Sequence, residues 1–192
     1  MRILITGARG FVASYLMDAV MERCGKAIQL IATAKEAGMH PKYGEVTMLD
    51  VASRLSVEQA FRRYAPTHVI HLAGIAAPSI GNASPHLMWQ IHLHGALNLG
   101  EIILERNPNC WLFHVGSALV YGDTARSGVP IDEDNLLGPM DEYAASKAAA
   151  DLALGAMTYR GLRCVRFRPF NHSGPGQAEG FVVPDFAVQI EY

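Results

Sequence analysis

Residues 1–13, M-R-I-L-I-T-G-A-R-G-F-V-A, decide the fold. The apolar run at residues 2–6 predicts a buried strand, and Gly7, Gly10 and Ala13 follow it with the spacing G-x-x-G-x-x-A. Glycine at such a turn lets the backbone approach a diphosphate, and the helix that follows offers unpaired N–H groups to the anion. Taken alone, the same spacing also fits a tight turn without a ligand. The pattern favours a strand, a turn and a helix that bind a dinucleotide.

The rest of the chain repeats this alternation of strands and helices. Strands are predicted at residues 2–6, 27–33, 45–49, 68–72, 111–115 and 163–167, and helices near residues 10–23, 56–64, 85–106 and 140–159. Such alternation implies right-handed crossovers and a mostly parallel sheet that is covered on both faces. We predict an α/β doubly wound sheet, the Rossmann fold, in residues 1–170. Residues 171–192 are expected to begin a substrate-binding region whose domain is largely absent.

Composition narrows the classes of function. The 192 residues include 18 acidic and 16 basic ones, for a formal charge of −2, so no broad basic surface is available for nucleic acid. Cys24, Cys110 and Cys164 lie far apart, which disfavours a disulfide framework or a zinc site, and no metal is predicted. No signal peptide precedes the first strand, and the apolar runs are too short to span a membrane. The sequence predicts a cytoplasmic enzyme or binding domain.

The end of the second strand bears on the choice of cofactor. An acid about 20 residues after the glycine turn would bind the ribose 2′-hydroxyl of NAD. Here Thr33 stands near that position, and Glu36 lies too late in the chain. Without a carboxylate, Arg9 and Lys35 can hold the 2′-phosphate, which favours NADP over NAD, although both also fit solvated surface charges. Asp50 fits two roles, acceptor from the adenine amino group or cap of the next helix.

Tyr143 and Lys147 form a candidate acid–base pair in the segment Y-A-A-S-K. Four residues apart, they share one face of the predicted helix. A nearby ammonium is expected to lower the pKa of the tyrosine toward neutrality. Ser117 ends the fifth strand, where its hydroxyl can hold the oxygen of a reacting carbonyl. Each residue alone also fits a structural role, but their order after a cofactor turn favours redox catalysis.

Together these segments resemble the extended short-chain dehydrogenase/reductases, the NAD-dependent epimerase/dehydratase family that acts on nucleotide sugars. The resemblance rests on T-G-A-R-G-F, L-D-V, H-L-A-G, S-A-L-V-Y-G and Y-A-A-S-K. It implies that Ser117, Tyr143 and Lys147 are catalytic and that Lys147 also binds the nicotinamide ribose. The residues expected to contact the cofactor are Gly7, Arg9, Gly10, Phe11, Val12, Thr33, Lys35, Asp50, Val51, Leu72, Ala73, Gly74, Tyr143, Lys147 and Phe170.

The C-terminal segment narrows the resemblance. R-P-F-N-H-S-G-P-G-Q at residues 168–177 and F-V-V-P-D-F-A at residues 181–187 resemble the reductases of GDP-4-dehydro-6-deoxy-D-mannose and their relatives. By that resemblance the backbone near Phe170 contacts the nicotinamide end, and Asn171 and Ser117 contact the substrate. Asn171 also fits a turn residue that satisfies its own backbone.

The chain departs from the family pattern in three places. Leu119 stands where related dehydratases carry a glutamate base, which disfavours dehydration but leaves ketone reduction possible. His92 replaces a frequent asparagine, with an open role, and because His92 and His94 point apart on a helix no metal site is expected. Family members continue with a substrate domain, whereas this sequence ends at residue 192, so it is interpreted as a possible fragment.

The leading hypothesis is NADPH-dependent reduction of the 4-keto group of a nucleotide-diphospho-6-deoxy sugar, GDP-linked by resemblance. The alternatives are an epimerase or 4,6-dehydratase of the same superfamily and a non-catalytic NADP-binding module. Relatives pair through two long helices, so the resemblance implies a homodimer through residues 85–106 and 140–159. The small residues that would allow close approach there also fit packing within one chain: Ala144, Ala145, Ala148, Ala149 and Ala150.

Overall fold

The computed structural model describes residues 1–75 and 84–190. Its seven strands form one sheet in the order β3-β4-β2-β1-β5-β6-β7. The strands are β1 (Arg2–Thr6), β2 (Gln29–Ala34), β3 (Gly38–His40), β4 (Gly44–Met48), β5 (His68–His71), β6 (Trp111–Val115) and β7 (Arg163–Phe167). All pairs are parallel except β3 with β4. The six predicted strands are confirmed within two residues, and β3 was missed because it has only three residues.

The helices follow the predicted order. They are α1 (Phe11–Cys24), α2 (Arg54–Tyr64), α3 (Pro85–Trp89), α4 (Gly95–Arg106), α5 (Glu142–Thr158) and α6 (Val182–Ile190), with 3₁₀ segments at Gly25–Ala27 and Ala118–Ser127. The long helix predicted at residues 85–106 is continuous in direction, but a π-turn at Gln90–His94 separates α3 from α4. No helix in the described parts of the chain is long and apolar enough to cross a membrane.

Two apolar clusters cover the two faces of the sheet, which confirms the doubly wound fold. On one face, α1 packs on β1, β2 and β4 through residues such as Ile5, Met17 and Val46. On the other face, α2, α4 and α5 pack on Leu4 and Leu112 of the central strands. Parallel strands end at the same edge, so the loops after β1, β5 and β6 meet where such sheets bind ligands.

A row of polar side chains crosses the sheet, one residue from each of five neighbouring strands. The members pair in register, Thr33 with Thr6, Thr6 with His71, His71 with His114, and His114 with Arg166. We call these five residues the polar row. Four of them are buried, and Arg166 is partly exposed. The row lies at the last or penultimate position of each strand, and at its β7 end Arg166 contacts Asp151 of the helix that carries Tyr143 and Lys147.

The alanines of α5 mostly pack inside the chain. Ala144, Ala148 and Ala150 are buried, whereas Ala145 and Ala149 are half-buried. The interpretation that these alanines pack within one chain is therefore confirmed for three of the five residues, and the dimer itself stays a prediction. All three cysteines are free.

Candidate active site

The glycine turn after β1 lies directly against the end of β5. Gly7 has a φ of 71°, and a Cβ placed on it would lie 2.8 Å from the Ala73 amide nitrogen. Both features restrict this position to glycine. Gly10 is the N-cap of α1 and offers no side chain to the first turn of the helix. The N–H groups of that turn are therefore available to an anion, as the sequence predicts.

The segment after β5 joins this turn to Lys147. The Ala73 amide donates a 3.2 Å hydrogen bond to the Thr6 hydroxyl, which holds the segment on β1. A Cβ placed on Gly74 would lie 3.1 Å from Lys147 Nζ. The predicted residues Gly7, Ala73, Gly74 and Lys147 thus follow one another along the carboxyl edge of the sheet.

Lys147 is a buried ammonium on the first half of α5. Its side chain is nearly enclosed, with a relative exposure of 6% for the residue. Nζ donates to the Val115 carbonyl at 3.4 Å. Burial lowers the pKa of Lys147 to about 8, because moving a charge out of water disfavours the protonated form. A lysine with this pKa holds its proton loosely near neutral pH.

Tyr143 lies one turn before Lys147 and meets Ser117. Asp141 caps the start of α5 by accepting a 2.7 Å hydrogen bond from the Ala144 amide, which fixes the turn that carries Tyr143. Ser117 precedes the 3₁₀ segment, and its hydroxyl accepts from the Leu119 amide at 3.2 Å. The Ser117 hydroxyl also lies close enough to the Tyr143 phenol to lower its pKa. The structure therefore brings the two predicted hydroxyl groups together.

The expected lowering of the tyrosine pKa by Lys147 is wrong for this structure. Burial raises the pKa of Tyr143, the Ser117 hydroxyl lowers it in part, and the Asp141 carboxylate raises it further. Spacing along the helix indicates only the ammonium four residues away. Burial is the largest cause of the shift, because the phenol is largely enclosed by its neighbours.

Thr33 is not placed to contact a ribose. Its side chain is completely buried, and its hydroxyl donates a 2.8 Å hydrogen bond to the Ile5 carbonyl. Arg9 and Lys35 are exposed at this end of the sheet, and Arg9 Nη1 lies 3.9 Å from the Glu36 carboxylate. Glu36 therefore faces the glycine turn, although its distance along the chain argued against that.

Asp50 and Val51 also serve the fold. The Asp50 carboxylate accepts a 3.0 Å hydrogen bond from the Ala52 amide, as a turn-forming aspartate does. The Val51 side chain is buried against α4, and a Cβ placed on Gly95 would lie 2.8 Å from it. Its carbonyl accepts from Asn98 Nδ2 at 2.9 Å. The cofactor contacts of Asp50 and Val51 stay predictions, and the buried Val51 side chain leaves its backbone for such a contact.

The segment after β7 runs along the loop that carries Ser117. The Gly116 amide donates to the Phe167 carbonyl at 2.8 Å, and the Ala118 amide donates to the Pro169 carbonyl at 2.9 Å. The next residues in the chain, Phe170 and Asn171, are exposed. Their predicted positions beside the site are thus supported by the backbone, while their ligand contacts stay predictions.

Residues 172–175 then cross the first turns of α1. The Tyr15 hydroxyl donates a 2.7 Å hydrogen bond to the Pro175 carbonyl. Phe11 stacks on His172 with the ring centroids 6.4 Å apart. A cavity of about 290 Å³ lies between these residues and Val12. Phe11 and Val12 therefore face the segment after Asn171 as well as the glycine turn.

Two further residues surround Tyr143. His92, in the π-turn, meets the Tyr143 ring edge to face with centroids 5.4 Å apart. His92 also hydrogen-bonds Ser146, which sequence reasoning did not single out although it lies within Y-A-A-S-K. His92 is buried and His94 exposed, which confirms that they point apart. The described residues contain no group of three or more His, Cys, Asp or Glu placed to hold a metal.

The sequence matches the NAD dependent epimerase/dehydratase family over residues 3–191. Among curated proteins it is 39% identical over 126 residues to the GDP-6-deoxy-D-mannose reductase of Pseudomonas aeruginosa, an alignment covering 65% of this chain and 41% of that protein. It is 27% identical to a probable dTDP-glucose 4,6-dehydratase of Sinorhizobium fredii, covering 91% of this chain and 54% of the relative. The chain thus spans about half the length of these relatives.

Solved structures give the same result. The Pseudomonas aeruginosa protein RMD in complex with NADPH superposes with a TM-score of 0.78 at 32% identity, covering 99% of this chain and 61% of that one. The UDP-glucose 4-epimerase of Thermus thermophilus in complex with NAD gives a TM-score of 0.83 at 29% identity, covering 97% and 61%. With the family match over nearly its whole length, the chain belongs to the NAD dependent epimerase/dehydratase family.

Proposed function

We propose that this chain is the cofactor-binding part of an NADPH-dependent reductase that acts on the 4-keto group of a nucleotide-diphospho-6-deoxy sugar, GDP-linked. The observation that carries the proposal is the position of Ser117 beside Tyr143, one helical turn from a buried Lys147. This places a proton donor, a second hydroxyl and an ammonium at the edge where the glycine turn lies. The similarity to the Pseudomonas reductase supports the choice of sugar nucleotide.

The residues around the turn fit a dinucleotide. The Gly7 and Gly10 positions leave a backbone cradle that a Cβ would fill, since a Cβ on Gly10 would lie 3.2 Å from the Gly7 carbonyl oxygen. The open first turn of α1 would hold the diphosphate, and Lys147, next to Gly74, would hold the nicotinamide ribose. When bound, NADPH would supply the hydride.

The protein's own groups would handle the proton. Ser117 would hold the carbonyl oxygen, and Tyr143 would donate its proton to that oxygen as the carbonyl is reduced. A raised pKa suits this direction of reaction, because it keeps the phenol protonated at neutral pH. Leu119 is exposed near Ser117 and has no group that could accept a proton from a sugar carbon. This favours reduction over dehydration.

The preference for NADPH rests on Arg9. A 2′-phosphate would be held by this guanidinium and would compete with Glu36 for it. Replacing Arg9→Ala should weaken NADPH binding about tenfold and leave NADH binding unchanged, because a charge-assisted hydrogen bond contributes about 1.5 to 3 kcal/mol. The matched variant Glu36→Gln should tighten NADPH binding. If Arg9→Ala weakens the binding of NADPH and NADH equally, Arg9 does not determine a preference for NADPH.

Turnover tests the reaction itself. The enzyme that contains this chain is incubated with NADPH and a GDP-4-dehydro-6-deoxyhexose, and the absorbance of the reduced nicotinamide is followed. Tyr143→Phe should lower the rate at least about 100-fold while NADPH still binds, because general acid catalysis contributes at least that factor. Sugar conversion without net loss of NADPH would identify an epimerase or dehydratase. NADPH binding without any conversion would identify a binding module, and either result overturns the proposal.

The proposed enzyme pairs as a homodimer through the helical faces of residues 85–106 and 140–159. The supporting features are the half-buried Ala145 and Ala149, which leave room for a neighbouring helix. Sedimentation velocity tests this directly, and a single monomeric species at micromolar concentration would contradict the dimer.

A further inference from the structure

His92 makes two hydrogen bonds that reach opposite sides of the site. Its Nε2 accepts a 3.0 Å hydrogen bond from the Ile75 amide, in the segment that follows β5. Its Nδ1 lies 2.8 Å from Ser146 Oγ, on α5. Because the imidazole is completely buried, both bonds are protected from competition with water. One side chain therefore connects the segment beside Lys147 to the helix that carries Tyr143.

The directions of these bonds follow from the donors. A backbone amide can only donate, so Nε2 of His92 must carry a lone pair and Nδ1 must carry the proton. Nδ1–H then donates to Ser146 Oγ. The Ser146 hydroxyl uses its own proton to donate to the Tyr143 carbonyl at 2.8 Å. The result is a single directed chain, from Ile75 N–H to His92, from His92 to Ser146, and from Ser146 to the backbone of Tyr143.

The surroundings of His92 favour this neutral form. Burial, and secondly the positive charge of Lys147, lower the pKa of His92 to about 3. A Cβ placed on Gly74 would lie 3.1 Å from Lys147 Nζ and 3.4 Å from His92 Nε2, so the two side chains flank the same glycine. A π-turn at this place in a helix is itself a frequent mark of a functional site.

We propose that His92 is a positioning residue with two separable roles, which rests on the reductase function proposed above. Its Nε2 holds the Gly74–Ile75 backbone where the cofactor binds, and its Nδ1, through Ser146, holds Tyr143. The first role acts on cofactor affinity and the second on proton transfer. A histidine that merely fills the core would affect stability alone.

Two substitutions separate the roles, because each amide side chain reproduces one nitrogen of the imidazole. The amide of His92→Asn ends near the position of Nδ1, so it can still donate to Ser146 but cannot reach Ile75. The longer His92→Gln places its oxygen near Nε2, so it can still accept from Ile75 but loses Ser146. We expect His92→Asn to raise the Kd of NADPH about tenfold with little change in kcat, since one buried hydrogen bond is lost.

His92→Gln should show the opposite pattern, with kcat about tenfold lower and the Kd of NADPH unchanged. Ser146→Ala is the matched control, because it removes the same link from the other side. It should reproduce the effect of His92→Gln, and the double variant should lose no more than either single one, as expected for residues in one chain of hydrogen bonds. Thermal unfolding of each variant confirms that it is folded.

A spectroscopic measurement tests the directed chain without any turnover. In the ¹⁵N-labelled chain, the imidazole signal that disappears in His92→Asn should show a protonated Nδ1 and an unprotonated Nε2. This result and the change in NADPH affinity would support the hydrogen-bond chain and the first role even if the sugar is not reduced, so failure of the proposed function is recognised separately. The Nε2-protonated tautomer, or equal effects of both substitutions on Kd and kcat, would overturn the inference.

Discussion

The two halves of the sheet offer different groups to their proposed ligands. Around the glycine turn, β1, β2 and β4 pack on α1 through an apolar cluster, and the surface left for a dinucleotide is mostly backbone. In the half formed by β5, β6 and β7, the sheet carries His71, His114 and Arg166 of the polar row, and Lys147 and Asp151 are buried. Recognition by backbone shape requires no buried charge. The proposed proton chemistry uses a buried charge, that of Lys147, and the fold must stabilise buried charges with further buried partners.

The largest effect is expected where that second half is held together. Asp151 of α5 is fully buried, and its carboxylate accepts hydrogen bonds from Arg166 at 2.6 Å and from Arg168 at 3.0 Å. Asp151→Asn should lower the free energy of unfolding by about 4 kcal/mol, because it leaves two guanidinium groups without their counter-charge. Denaturant unfolding measures this loss.

The matched control is an ion pair at the surface. Arg54 of α2 pairs with Glu101 and Glu105 of α4 at 2.7 Å, and all three side chains are exposed. Arg54→Ala should cost less than about 1 kcal/mol. If Asp151→Asn and Arg54→Ala lower the free energy of unfolding equally, burial of charge does not distinguish the half of the fold that contains Asp151.

Lys147 should oppose folding while it serves the reaction. Its pKa of about 8 lies below the usual value of 10.5, so the folded state binds the proton less tightly than the unfolded chain. At pH 7 this difference disfavours the folded state by roughly 3 kcal/mol. Lys147→Met should therefore raise the free energy of unfolding by about that amount at pH 7, and it should abolish turnover.

The same group sets a pH dependence with a definite sign. Between about pH 8 and pH 10.5 the unfolded chain binds more protons at Lys147 than the folded protein does, so stability rises with pH in that interval. The difference in unfolding free energy between Lys147→Met and the wild type should shrink across this range. A difference that stays constant from pH 7 to pH 10.5 would show that Lys147 is not desolvated.

On the nucleotide-binding side, the comparison predicts sensitivity to backbone shape. Gly7→Ala should destabilise the protein by about 2 kcal/mol more than Gly25→Ala, because both glycines have positive φ but only Gly7 faces backbone at 2.8 Å. Because Gly25 has open space around it, Gly25→Ala measures the cost of the positive φ alone. NADPH binding should be lost in Gly7→Ala and kept in Gly25→Ala. If both substitutions lower the free energy of unfolding equally, close packing of Gly7 against Ala73 does not contribute to stability.

The difference between the halves also explains what the sequence could predict. A close backbone approach restricts the residue type, so Gly7 and Gly10 were evident from their spacing alone. Tyr143 and Lys147 were found because four residues make one helical turn. The burial of the Thr33 hydroxyl was not predicted. The end of β2 is buried on both faces, so the sequence pattern of this strand did not indicate which way the side chain points.

Contacts that close only in three dimensions could not be predicted. Glu36, between β2 and β3, lies near Arg9 of the glycine turn, a contact between segments that are separate in the sequence. His92 and Ser146 are 54 residues apart, and no local pattern pairs them. The pKa of Tyr143 depends on how completely its neighbours enclose it, which spacing along a helix does not determine.

The smallest effect is expected at His114, the member of the polar row that lies between His71 and Arg166. Both of its ring nitrogens are buried, and neither has a hydrogen-bond partner within residues 1–75 and 84–190. Burial lowers the pKa of His114 to about 3, so the ring is neutral and contributes no charge to the site. His114→Leu replaces unsatisfied polar atoms by an apolar group of similar size and should change stability by no more than about 1 kcal/mol, in the stabilising direction.

His92→Leu is the matched comparison for His114→Leu, because His92 and His114 are equally buried but only His92 has hydrogen-bond partners among the described residues. Removing the imidazole of His92 leaves the Ile75 amide and the Ser146 hydroxyl without the partner that each has in the folded chain. That should cost about 2 kcal/mol, since a buried group left unsatisfied loses its full solvation. Calorimetric unfolding of both variants tests this. If His114→Leu destabilises as much as His92→Leu, the buried polar groups under α5 act as one cooperative network, and the separate roles assigned to them do not hold.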